Sequence, residues 1–151
     1  RNMTTENELD YPIILAAVDD SELGQLTLAN AIHQAHEDGA VLIIASIFEK
    51  DQLNVFDALS KERTTDARAD VENALKRYRQ EALDAGVKTV ATVLRDGEPG
   101  KVIVRDIIPV IKPNLVVIGA HSKRTLSDRY FGTQSGYVAA NAPVTVMVVR
   151  Q

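Results

Sequence analysis

Apolar residues in this chain gather into five short runs: Ile13–Val18, Val41–Phe48, Thr89–Leu94, Leu115–Ile118 and Val144–Val149. Each has the length and β-branched content of a strand. Most are continuous rather than alternating, the pattern of strands buried on both faces of a parallel sheet. Between them, apolar positions recur every three or four residues, which predicts helices. Ser21 caps one that reaches His36, with Leu28, Ala31, Ile32 and Ala35 on one face and Gly39 as its stop. Thr64 to Ala85 carries Val71, Ala74, Leu75, Tyr78 and Ala82 at helical spacing and ends at Gly86. Val102, Ile103, Asp106, Ile107 and Val110 make a shorter helix stopped near Lys112-Pro113, and Gln134 to Asn141 a fourth, ended before Pro143.

Strand and helix patterns alternate throughout, so the expected fold is α/β: a doubly wound, open five-stranded parallel sheet of order 3-2-1-4-5 with right-handed crossovers. Ligands of such sheets sit beyond the carboxyl ends of the strands, where strand order reverses, here between the first and fourth strands. The 151 residues fit one domain over 12–151, preceded by a disordered polar lead over 1–11. Phe48 to Arg63 is the one long irregular connection, and such segments often serve as lids or interaction loops. A net charge of −4 with scattered basic residues argues against nucleic acid as a partner. No cysteine is present, which excludes thiolate chemistry and fits a reducing compartment. No apolar run is long enough for a membrane span or a secretory signal, so the expected location is the cytoplasm.

Candidate chemistry lies at the strand ends. The first strand runs into Asp19-Asp20-Ser21, where a carboxylate can accept from an adenine amine or a ribose hydroxyl; the same residues are also strong helix caps. An acidic pair here also suggests a phospho-acceptor receiver, but Asp96 is badly placed as acceptor and the last strand ends in Arg150 instead of lysine. Gly24 stands alone after the first strand, so the dinucleotide fingerprint is missing, and no Walker-type phosphate loop occurs. His33 and His36 are three apart with no further histidine placed to join them in a metal site. No nucleophile–base pair can be assembled either, so the chain does not read as a dedicated enzyme. Leu115–Val149 is more telling. A strand ends at Gly119, a loop follows, and Gly132-Thr133-Gln134-Ser135 opens a helix, an arrangement in which free backbone N–H groups cradle phosphate. Lys123, Arg124 and Arg129 share that loop and either neutralise phosphate or form a solvated basic surface.

The loop resembles that of the universal stress protein (UspA-like) family, whose nucleotide-binding members carry G-x-x-G, nine residues, then G-[ST]. Gly119-Ala120-His121-Ser122, nine residues, and Gly132-Thr133 keep that spacing, with Ser122 in place of a glycine. Ile14 to Ser21 resembles the family's ILVAVDGS opening, with Asp20 in place of glycine. Gly39–Ile47, Gly97-Glu98-Pro99-Gly100 and Asn141-Ala142-Pro143-Val144 are similar to its second strand and turns, with Ser46 where histidine is usual. The resemblance spans Ile13 to Val149 and implies an adenine nucleotide alpha-hydrolase-like fold. It also implies ATP, with Mg²⁺ or Mn²⁺ carried by the phosphates, across the carboxyl edge of the sheet. Asp19 and the main chain of Ala17 and Ile47 would hold the adenine side, and Gly119 the ribose. Ser122, Gly132, Thr133 and Ser135 would meet the phosphates, with Ile118 and Gln134 in the same set. The edge strand 144–149 would pair antiparallel with its copy in a homodimer. The expected role is sensory or regulatory in a stress response, with any hydrolysis slow. Nucleotide would order 119–135 and 48–63 and present a changed surface to a protein partner. If Ser122 disables the loop, the same fold serves instead as a nucleotide-free dimeric interaction module.

Overall fold

The computed structural model describes residues 10–49, 60–120 and 128–151, the last from the backbone alone over 128–133. Its strands are β1 (Ile13–Ala17), β2 (Val41–Phe48), β3 (Thr89–Asp96), β4 (Leu115–Gly119) and β5 (Thr145–Val149), all parallel in the order β3-β2-β1-β4-β5. The expected order is met; β2 has its expected bounds, and each other strand differs from expectation by one or two residues at one end. Helix α1 (Glu22–Asp38) follows β1, and α2 (Lys61–Asp84) precedes β3. A helical stretch from α3 (Pro99–Val102) through a π turn (Ile103–Ile107) to α4 (Ile108–Ile111) precedes β4, and α5 (Asp128–Asn141) precedes β5.

The helix ends follow local chemistry. The Ser21 hydroxyl accepts from the Gly24 N–H at 2.9 Å and caps α1, as expected. Gly39 closes α1 in the left-handed region at φ 62°, where a residue without Cβ is least strained. The Ser60 hydroxyl caps α2 through the Arg63 N–H at 3.2 Å. Pro99 supplies the preset φ that starts α3. The π turn sits just ahead of Pro109, which has no N–H to donate to the preceding turn; the Ile108 N–H reaches back to the Ile103 carbonyl, and the extra residue absorbs the lost register.

Two apolar layers flank the sheet. Ile14, Ala16, Leu42, Ile44, Leu115 and Val117 point toward α1 and α2, while Leu15, Ala45, Val116 and Ile118 point toward the 99–111 stretch and Val138 of α5. Because β1 is central and buried on both faces, a smaller side chain there leaves a cavity that the packed layers cannot fill. Ile14→Ala should cost about 3–4 kcal/mol, read as a lower urea midpoint at unchanged slope.

Candidate functional site

Parallel strands end together, so β1, β2 and β4 bring their carboxyl ends to one edge. Ala17 is paired with Ala45 on one side and Ile118 on the other. At this edge α1 departs from β1 on one face, and the chain reaches β4 across the other. The strand order reverses here, and the structure holds a cavity of about 550 Å³ at that point. Its floor is apolar, built from residues such as Ala17, Leu23, Ala45, Val71 and Ile118, and its rim carries carboxylates. A floor of this kind suits a flat, weakly polar ring, and the rim suits groups that donate hydrogen bonds.

The loop after β1 is held in place by its own polar groups. The Val18 N–H donates to the Ala45 carbonyl at 2.9 Å, and the buried Ser46 hydroxyl donates to the Val18 carbonyl at 2.8 Å. One Asp19 oxygen, Oδ1, accepts both the Ser21 N–H at 3.0 Å and the Ser21 hydroxyl at 2.5 Å. The Gln25 amide reaches the Asp19 carbonyl at 2.8 Å. Gly24 makes the packing geometrically feasible, because a Cβ there would stand 2.3 Å from the Asp19 carbonyl oxygen. Asp19 and Ser21 therefore combine the two roles open to them: Ser21 caps α1, and Asp19 fixes Ser21 while lining the cavity.

Gly119 is also placed by close packing, with a would-be Cβ 2.9 Å from Leu23 Cγ and 3.0 Å from Thr27 Oγ1. The glycine lets α1 lie flat against the end of β4.

Of the nucleotide-binding set expected from the sequence, Ala17, Asp19, Ile47, Ile118, Gly119, Gln134 and Ser135 line the cavity together. Ser122 lies outside the described residues, as do the side chains of Gly132 and Thr133. One expectation is corrected. The helix does not open at Gly132 or Gln134 but at Asp128, so Gly132–Ser135 occupy its second turn. Their N–H groups face the carbonyls of the preceding turn and are not free to cradle an anion. The two polar side chains that follow also have partners. Gln134 is 7% exposed and its Oε1 accepts from the Gly100 N–H at 2.7 Å, while the Ser135 hydroxyl donates to the Ala120 carbonyl at 2.7 Å. These bonds fasten α5 to α3 and to the end of β4.

The sequence reading missed the contribution of α2. Val71, Ala74 and Tyr78 have core spacing, yet the same face turns toward the cavity, with Ala67 and Asp70 extending it. The Tyr78 hydroxyl donates to an Asp20 oxygen, and Arg77 approaches the same carboxylate at 3.3 Å. Burial of the ring, the bond to Asp20 and the charges of Asp20 and Asp19 hold the Tyr78 phenol well above its ordinary range, so it remains a proton donor. The available signal was a single tyrosine hydroxyl on a face otherwise composed of small and apolar residues. Among the described residues no group of three or more metal-ligating side chains converges, and no helix is long and apolar enough to cross a membrane.

Comparison with known proteins agrees with this geometry. The profile of the universal stress protein family matches residues 10–150. A universal stress protein of Staphylococcus haemolyticus is 28% identical over 142 residues, covering 94% of this chain and 86% of that protein. The UspA structure from Lactobacillus plantarum superposes with a TM-score of 0.80 at 22% identity, over 93% of this chain and 99% of the other. A universal stress protein solved in complex with cAMP superposes with a TM-score of 0.71 at 20% identity, over 93% and 98%.

Proposed function

The chain belongs to the universal stress protein family, and from that premise we propose that it binds an adenine nucleotide, ATP foremost, beyond the carboxyl ends of β1, β2 and β4. The observation that carries the reading is the cavity of about 550 Å³ at the point where strand order reverses, with an apolar floor and a rim that accepts hydrogen bonds. A purine fits such a floor. Its ribose would lie toward Gly119, at the end of β4 where that residue lines the cavity. The cAMP held by a structural relative supports the choice of an adenine ligand.

The phosphates would leave the cavity toward the segment between Gly119 and α5, where Ser122 and the basic residues Lys123 and Arg124 stand in the sequence. Gly132, lacking a side chain, would let phosphate approach the second turn of α5, where the Thr133 hydroxyl and not a backbone N–H would donate. A bound Mg²⁺ or Mn²⁺ would neutralise the phosphate charge. The role is regulatory. Nucleotide would shift the population of surface conformations that a protein partner reads. Any turnover would be slow and incidental to that role. The half-buried edge of β5, with Val146 and Val148, would pair with its copy in a homodimer.

Thermal unfolding with and without ATP and Mg²⁺ tests the reading. At a hundredfold excess over Kd, nucleotide should stabilise the fold by about 2.7 kcal/mol and raise Tm by roughly 5–10 °C. Heat extraction of the purified protein should release adenine nucleotide into the supernatant. An unmoved Tm and an empty extract would leave the nucleotide-free dimeric module as the function of this fold.

A further inference from the structure

The cavity lies between the loop after β1 and helix α2, and Asp20 ties these two elements together through Tyr78 and Arg77. Tyr78 is 3% exposed in the body of α2, and its hydroxyl donates to Asp20 at the cavity rim. Arg77 meets Asp20 from the outer side of α2, leaving the carboxylate facing the cavity as well as solvent.

The bridge has a chemical consequence. The phenol proton is committed to Asp20, so the tyrosine oxygen offers only lone pairs to anything else, and the carboxylates of Asp20, Asp19 and Asp70 can only accept. The Ser21 proton is committed to Asp19. No lysine, arginine or histidine occurs among the described residues that line the cavity.

We propose that Tyr78 is a specificity-determining residue of this cleft, holding Asp20 so that the α2 side presents acceptors alone and selects ligands bearing a hydrogen-bond donor at that end. This rests on the nucleotide reading above and deepens it. The donor is an exocyclic amine of the base or a hydroxyl of the ribose. A carbonyl placed against this wall sets lone pair against lone pair and leaves both unpaired, an arrangement that sites built on hydrogen bonding reject strongly. Because Asp20 is exposed at the rim, solvent moderates the discrimination to about tenfold, the scale of one net hydrogen bond.

The test is the ratio of affinities, which a purely structural role for Tyr78 would leave unchanged. Adenosine, inosine, 2′-deoxyadenosine and 3′-deoxyadenosine are titrated calorimetrically against the unaltered chain, Tyr78→Phe and Asp20→Asn. The unaltered chain should prefer adenosine about tenfold over inosine if the amine is read, or over a deoxy analogue if a hydroxyl is read. Tyr78→Phe, which removes the buried bond to Asp20 and leaves that carboxylate only its exposed pair with Arg77, should bring that ratio below about threefold. Asp20→Asn, which places an NH₂ donor on the rim, should do the same while conserving shape. Equal binding of all four nucleosides by the unaltered chain overturns the proposal. So does a preference that survives both substitutions in variants shown to be folded by their unfolding transitions. Failure of the unaltered chain to bind either adenosine or ATP overturns the nucleotide reading itself, and this inference with it.

Discussion

Gly24→Ala should destabilise the chain by about 2–3 kcal/mol, lower Tm by roughly 5–10 °C and abolish ligand binding in the cleft. The direction is opposite to the one helix propensity predicts. Gly24 lies in the first turn of α1, where replacing glycine by alanine normally stabilises a helix by about 1 kcal/mol. At this position the new Cβ would stand 2.2 Å from Asp19 Oδ1 and 2.3 Å from the Asp19 carbonyl oxygen. The carboxylate can rotate away, but the carbonyl is backbone and cannot. Moving it breaks the Gln25 bond to that oxygen and displaces the carboxylate that accepts both Ser21 donors. The Ser21 cap of α1 depends on the same loop. Chemical denaturation monitored by circular dichroism checks the prediction. An alanine variant as stable as the parent, or more so, would show that propensity outweighs the contact and that the loop after β1 is free to shift.

This residue also shows where sequence reasoning stops. Gly24 is a poor match to any nucleotide fingerprint, and in sequence terms it is a single glycine near a helix start. Its role arises from a backbone that folds back over the helix, a relation between two segments rather than a pattern within one. The sheet order, by contrast, was legible. Continuous Val and Ile runs separated by helical periodicity leave few topologies once crossovers are right-handed, and strand burial on both faces is written in the runs themselves. From that order the location of the cavity also followed, because parallel strands must end at a common edge.

What could not be read depended on how elements align. The start of α5 is an example. Gly132 followed by Thr133 suggests a helix opening, yet the helix begins at Asp128 and carries Gly132 in its second turn. An internal glycine costs only about 1 kcal/mol, which packing of the same helix through Val138 readily offsets. Gln134 is similar. Its buried bond to the Gly100 N–H joins helices 34 residues apart and leaves no local trace. Tyr78 has the spacing of a core residue and is one, but its hydroxyl extends past the core to the rim. Residues that serve packing and site at once are the ones periodicity classifies only by half.

Val71→Trp separates these two roles most sharply and should abolish nucleotide binding, by a hundredfold or more, while leaving stability within about 1 kcal/mol of the parent. Val71 is half-buried on α2, facing the cavity rather than the closely packed layer around Leu42 and Ile44. An indole there enters open volume of about 550 Å³, so it finds space without forcing core side chains off their rotamers. It also buries apolar surface against the apolar lining of the cavity, which offsets the cost of ordering the larger side chain. The ring would occupy the space assigned to the base, so the ligand loses its apolar contacts outright. A hundredfold loss corresponds to about 2.7 kcal/mol, well within what the apolar surface of a purine supplies on burial. Calorimetric titration with ATP, paired with a denaturation curve on the same preparation, reads both quantities. Binding that persists in a stable Val71→Trp chain would place the nucleotide outside this cavity. A large loss of stability with unchanged affinity would assign the α2 face to the core alone.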